Sequence, residues 1–217
     1  MDFAAARRIM VDSQIRPNDV TDPDLVAAFM AVAREAFVPV SRKQVAYSEM
    51  EIETSPERSL WTPLDFSKLL KAAEPDQSDI ALVIGAGAGY ETAILAELVE
   101  TVIGLDEDET ITNATTELLV AQGADRAVIV QGDLAKGLPD QGPFDIIFVN
   151  GMVQSIPDAW TDQLSENGRL AVAVEEKNGF GTARIYRRVG DSVSFRTVFE
   201  AAPPKFSAFD AEKEFSF

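Results

Sequence analysis

The chain has 217 residues, 46% of them hydrophobic, and its 36 acidic side chains against 19 basic ones give a net charge of −17 at pH 7. That length is the upper end of one ordinary domain, and the apolar fraction suffices for a core without disulfide or metal staples. Cysteine and histidine are both absent, which excludes ordinary zinc sites, thiol nucleophiles, redox pairs and imidazole bases; the negative charge argues against nucleic acid or an anionic membrane as a partner.

In chain order, Phe3 to Gln14 reads as an amphipathic helix that ends before Pro17. The opening residues lack a signal-peptide apolar stretch, and no run approaches the ~18 apolar residues of a membrane span. A cytoplasmic location is expected. Asp22 is placed to cap, and Pro23 to start, a helix in which Leu25, Val26, Phe29, Met30 and Val32 share one face. Residues 47–62 have no helical period and several turn formers, so an extended loop or short strands are expected. Pro63 opens a helix to about Ala73, and the turn-rich EPDQSD at 74–79 marks a change of texture.

From residue 80 the pattern alternates. Apolar segments at 80–84, 101–105, 127–131, 144–149 and 169–174 predict strands, with helices over Tyr90–Leu98, Glu107–Gln122 and about Pro157–Leu164 between them. Strands apolar on both faces predict a parallel sheet covered by helices. Residues 182–189 and 192–199, joined by Gly190-Asp191, predict an antiparallel hairpin at the sheet edge. The fold class is α/β and Rossmann-like: a mostly parallel, doubly wound sheet with a C-terminal antiparallel edge hairpin and N-terminal helices. One domain covers 1–217, with a helical and loop region at 1–75, an α/β core at 76–200 and a tail at 201–217 read as an extended surface segment of little functional content.

Doubly wound sheets bind ligands beyond the carboxyl ends of their strands. At that position the strand at 80–84 runs into Gly85-Ala86-Gly87-Ala88-Gly89 and then a helix beginning at Tyr90. Glycines there permit positive φ and close approach of a ligand, and free N–H groups at the helix start suit polar or anionic ligand groups. A dinucleotide fingerprint wants glycine or alanine where Tyr90 stands. The G-x-G-x-G spacing suits a cofactor without phosphates such as S-adenosylmethionine. Asp106, about 20 residues past the turn, is placed to accept both hydrogen bonds of a ribose diol. The neighbouring Glu107, Asp108 and Glu109 read more simply as favouring the next helix N-terminus. Gly132, Asp133 and Leu134 follow the 127–131 strand, with Asp133 placed to meet an adenine amino group and Leu134 its ring.

Together these segments resemble the protein-L-isoaspartate O-methyltransferases. REAFVP (34–39), AYSE (46–49), VIGAGAGYETAILAELV from 83, GDLAKGLPDQGPFDIIFVNG (132–151) and IPDAWTDQLSENGRLAVAV (156–174) are similar to that family's segments in order. The resemblance implies S-adenosylmethionine as cofactor, held by Gly85, Ala86, Gly87, Gly89, Tyr90, Asp106, Gly132, Asp133, Leu134 and Asn150. It implies isoaspartyl proteins or peptides as substrates, methylated on the free α-carboxyl so that the ester collapses to a succinimide that can reopen as aspartate. A carboxylate, with a pKa near ~4, is already an anion at neutral pH and needs no general base. The chain departs from the family at its substrate loop, usually G-Q-T-I-S-Q-P and here residues 57–63. Ser59 takes the threonine slot, Trp61 the serine slot and Thr62 the glutamine slot. Trp61 reads either as an indole crowding the substrate or as a ring filling a gap. Val83 replaces the acid before the glycine turn, and Asn150-Gly151-Met152 replaces Thr-Ala-Ala. Three alternatives stand beside this reading: a cofactor-binding homologue with changed substrate or lost transfer activity, a nicotinamide oxidoreductase, and an interaction module.

Overall fold

The structure is a computed structural model that describes residues 1–56, 58–176, 180–206 and 209. Helix starts follow the caps that the sequence supplies. Asp22 accepts from the Asp24 and Leu25 amides at the head of α2 (Pro23–Ala31), and Thr62 accepts from Asp65 N at the head of α3 (Pro63–Ala73). Both helices carry proline at the first turn, where no N–H is needed. The first helix, α1 (Phe3–Met10), does not stop at Gln14. It passes into a π turn over Val11–Ile15 and a 3-10 turn over Arg16–Asn18, loosening and then tightening around Pro17.

A short hairpin of β1 (Ile52–Ser55) and β2 (Arg58–Leu60) precedes α3. The main sheet then alternates with helices: β3 (Ile80–Ile84), α4 (Tyr90–Ala96), β4 (Thr101–Asp106), α5 (Glu109–Ala121), β5 (Ala127–Gln131), β6 (Phe144–Val153), α6 (Asp158–Asp162) and β7 (Leu164–Glu175). The edge hairpin is β8 (Gly181–Val189) and β9 (Ser192–Glu200). Strand order is β5-β4-β3-β6-β7-β8-β9, with the first five parallel and the last two antiparallel. Strands β6 and β7 run longer than their apolar cores predict, because Leu164 already pairs with Phe144 and Met152-Val153 pair with Ala173-Val174 beyond a break in register.

Alternate residues of β3 serve two cores. Ala81 and Val83 pack with α3, α4 and the N-terminal helices; Leu82 and Ile84 pack on the opposite face with Trp160, Phe206 and Phe209. The last two correct the reading of the tail. It does not lie idle on the surface: Pro204 O accepts from Met152 N at 2.9 Å, Phe206 N donates to Met152 O at 2.8 Å, and Phe206 is buried. The apolar rings of this segment supply the reason, since burying one is worth a few kcal/mol (about 1.5–3). Residues 207, 208 and 210–217 of that reading lie outside the described residues.

Candidate functional site

Because β4 and β6 flank β3 on opposite sides, the chain reverses direction across β3 and a crevice opens beyond its carboxyl end. The glycine turn sits there. Gly85, Gly87 and Gly89 have φ of +75°, +53° and +89°, the left-handed region that favours glycine. The turn is closed by its own amides. Gly85 N and Ala86 N donate to Leu105 O, Gly89 N donates to Ala86 O, and Gly87 N donates to Asp106 Oδ2 at 2.9 Å. These four N–H groups of the turn are therefore engaged within the protein.

Asp106 ends β4 facing the turn and is 0% exposed. Its carboxylate also accepts from the Glu107 amide at 2.9 Å. The sequence reading did not foresee its main partner. Arg58, from β2, donates from Nε to Oδ2 and from Nη2 to Oδ1, both at 3.0 Å, and Nη2 also reaches Glu107 at 3.3 Å. This is a buried, two-pronged guanidinium–carboxylate pair. The Phe206 ring lies below it, with the Arg58 guanidinium carbon 4.9 Å from the ring centroid. A methyl added at Gly85 would stand 2.1 Å from the tip of that ring, and one added at Gly151 would stand 3.1 Å from its near edge. The ring thus rests on the bare backbone of both glycines. Arg58 lies in a stretch with no period, and Phe206 in a tail of alternating phenylalanines and acids, so neither carried a signal of its own.

The other expected site residues divide between crevice, core and turns. Leu134 is buried in the same apolar cluster as Phe206, and its carbonyl accepts from Trp160 Nε1 at 2.7 Å. Gly132 N donates to Asp106 O, which carries the end of β5 to the crevice. Asp133 is engaged locally, accepting from Ala135 N and pairing with Lys136, and Asp108 caps α5. Tyr90 turns away from the crevice into the core, its ring 5.7 Å from Phe37 and 4.8 Å from the Arg34 guanidinium carbon. Asn150 Nδ2 donates to Glu91 Oε2 at 3.3 Å. Glu91 is wholly buried, and burial pushes its carboxyl up to about 7.

The substrate-loop candidates do not form an open site. Trp61 is 0% exposed, 5.9 Å from the Phe148 ring, and its carbonyl accepts from the buried Arg34 at 2.6 Å. It fills core space, which supports the reading of a ring that fills a gap. Thr62 caps α3 with the oxygen it would otherwise offer. Ser59 lies on β2 opposite Glu53, half-buried. Glu57 lies outside the described residues.

A parallel sheet reversing across its first strand, a glycine turn at that strand's end and an acid ending the next strand define the class of α/β proteins that bind nucleoside cofactors, the S-adenosylmethionine-dependent methyltransferases among them. Comparison with known proteins narrows this. The sequence profile of "Protein-L-isoaspartate(D-aspartate) O-methyltransferase (PCMT)" matches residues 6–202. A protein-L-isoaspartate O-methyltransferase of Roseiflexus castenholzii is 31% identical over 193 residues, covering 89% of this chain and 88% of the relative. One from Methanoregula boonei is 33% identical over 168 residues, covering 77% of each. Among solved structures, a protein-L-isoaspartate O-methyltransferase superposes with a TM-score of 0.80 at 22% identity, over 92% of this chain and 65% of that one. A Plasmodium falciparum protein described as a member of the family, in complex with S-adenosyl-L-homocysteine, superposes at 0.76 and 18% identity, over 94% and 98%. The chain belongs to the protein-L-isoaspartate O-methyltransferase family, whose enzymes are S-adenosylmethionine-dependent protein carboxyl methyltransferases.

The glycine turn and Asp106 are suited in kind to the family's cofactor. As placed, Arg58 holds both oxygens of Asp106 and Phe206 covers Gly85. Those two side chains thus stand on the carboxylate and the glycine backbone that the cofactor would need.

Proposed function

We propose that this chain methylates the free carboxyl group of isoaspartyl residues in damaged proteins or peptides, with S-adenosylmethionine as the methyl donor. The observation that carries the reading is Asp106: a buried carboxylate at the end of β4, facing a glycine turn at the reversal point of the sheet, in a chain that matches the family along residues 6–202. With Arg58 and Phe206 withdrawn, Asp106 would hold the ribose hydroxyls, and Gly85 and Gly151 would let the cofactor lie against bare backbone. Leu134 would flank its base. The bound cofactor supplies an electrophilic methyl group. The substrate carboxylate is an anion at neutral pH, so the protein's part is alignment and exclusion of water rather than proton transfer. The absence of histidine agrees with that division of labour. The acidic net charge disfavours nucleic acid as a partner, and no described helix is long and apolar enough to cross a membrane. A cytoplasmic site of action is part of the same proposal.

One observation favours a second reading, a cofactor-binding homologue with another substrate. Where the family reads Ser-Gln, this chain has a core indole and a helix cap, and neither is available to a substrate carboxylate. The deciding experiment incubates the protein with radiolabelled S-adenosylmethionine and either an isoaspartyl peptide or its aspartyl twin. Base-labile methyl ester on the isoaspartyl peptide alone is the expected result. Cofactor binding without ester on either peptide would leave the second reading standing.

A further inference from the structure

The contacts of Arg58 and Phe206 are built rather than incidental. The Arg58 side chain is 5% exposed and Asp106 0%, so their ion pair is removed from water and is held at two points. Removing one member of such a pair strands a buried charge, so the two groups hold each other firmly. Phe206 is fixed independently. It is bracketed by the two hydrogen bonds to Met152, by the Lys205–Glu175 ion pair, and by Phe209, whose ring packs 5.0 Å from Trp160. Two segments far apart in the chain thus converge on one crevice. One takes its carboxylate and the other its glycine floor, and a cation stacked on a ring joins them.

We propose that Arg58 and Phe206 form an internal plug that competes with the cofactor for Asp106 and Gly85, so that the cofactor binds a minor form of the chain in which the 204–206 segment has left Met152. The proposal rests on the cofactor reading given above and adds its regulation. A binding-competent form that is only partly populated weakens apparent affinity by that fraction. Linkage also requires the reverse, that bound cofactor should favour release of the segment.

The test uses the full chain and S-adenosylhomocysteine as the probe. Calorimetric titration compares the unaltered protein with Arg58→Gln, Phe206→Ala and the double variant, each first checked for native near-ultraviolet dichroism from Trp61 and Trp160. The expected result is binding at least tenfold tighter in the double variant than in the unaltered protein, with the single variants between. In the unaltered protein, saturating probe is expected to speed tryptic cleavage after Lys205. This second measurement needs no substitution and decides the matter if a variant does not fold. Equal affinity in all folded forms, or probe binding that leaves cleavage at Lys205 unchanged, overturns the plug and leaves the cofactor reading intact. Absence of binding in every folded form overturns the cofactor reading, and the plug with it.

Discussion

Replacing Trp61 with serine, the residue the family carries at that slot, is expected to unfold the protein more readily rather than to improve catalysis. The indole is fully buried, packs beside Phe148 and sits next to the Trp61 carbonyl that holds Arg34. Truncating a buried tryptophan to a small side chain typically costs about 3–5 kcal/mol, and the new hydroxyl would itself need a buried partner. For a chain of this size each kcal/mol moves the melting temperature by roughly 2–4 °C, so a drop of about 6–20 °C is expected. Differential scanning calorimetry at neutral pH measures it directly, with isoaspartyl methylation followed in parallel below the transition. A variant that melts within about 2 °C of the unaltered protein and methylates faster would refute the reasoning, and would place the indole in a substrate site after all.

Glu91→Gln addresses the buried carboxyl. Its folded pKa of about 7 lies above the ordinary 4.5. The unfolded state therefore binds fewer protons than the folded state between those values, and the group costs stability increasingly as pH rises through that window, levelling off above it. Glutamine removes the cost, so the stability gained by the variant is expected to be larger at pH 8 than at pH 5 by about 2–3 kcal/mol; a gain that does not vary with pH in urea denaturation would count against this. Gly85→Ala should destabilise through its positive φ and through the Phe206 ring tip 2.1 Å from the new methyl. In a Phe206→Ala background the second cost disappears, and a coupling of about 1–3 kcal/mol is expected in a double-mutant cycle; additive losses would mean that the two do not touch.

Much of this architecture was legible in the residues. The caps at Asp22 and Thr62, the proline starts and the two-sided apolar strands are local signals, and they placed α2, α3 and the parallel sheet. So was the crevice, because a glycine turn with positive φ and an acid ending the next strand are each written in a few consecutive residues. What fills the crevice was not legible. Arg58 and Asp106 meet across 48 positions and Phe206 arrives from the tail, and no spacing rule encodes such a meeting. The same limit explains Tyr90 and Trp61. Their slots in the family pattern suggest ligand and substrate, while their large rings are consumed in cores assembled by distant segments.

The tail's attachment to Met152 also has a consequence for the order in which the molecule is made. Synthesis proceeds at roughly 5–20 residues per second, so segments near the end of the chain are made seconds after those near its start. Arg58, the glycine turn and Asp106 are all synthesised well before residue 206, and residues 204–206 dock on Met152 at the end of β6. Each newly made chain consequently passes through an interval in which Gly85 is uncovered, because the ring that covers it has yet to be made.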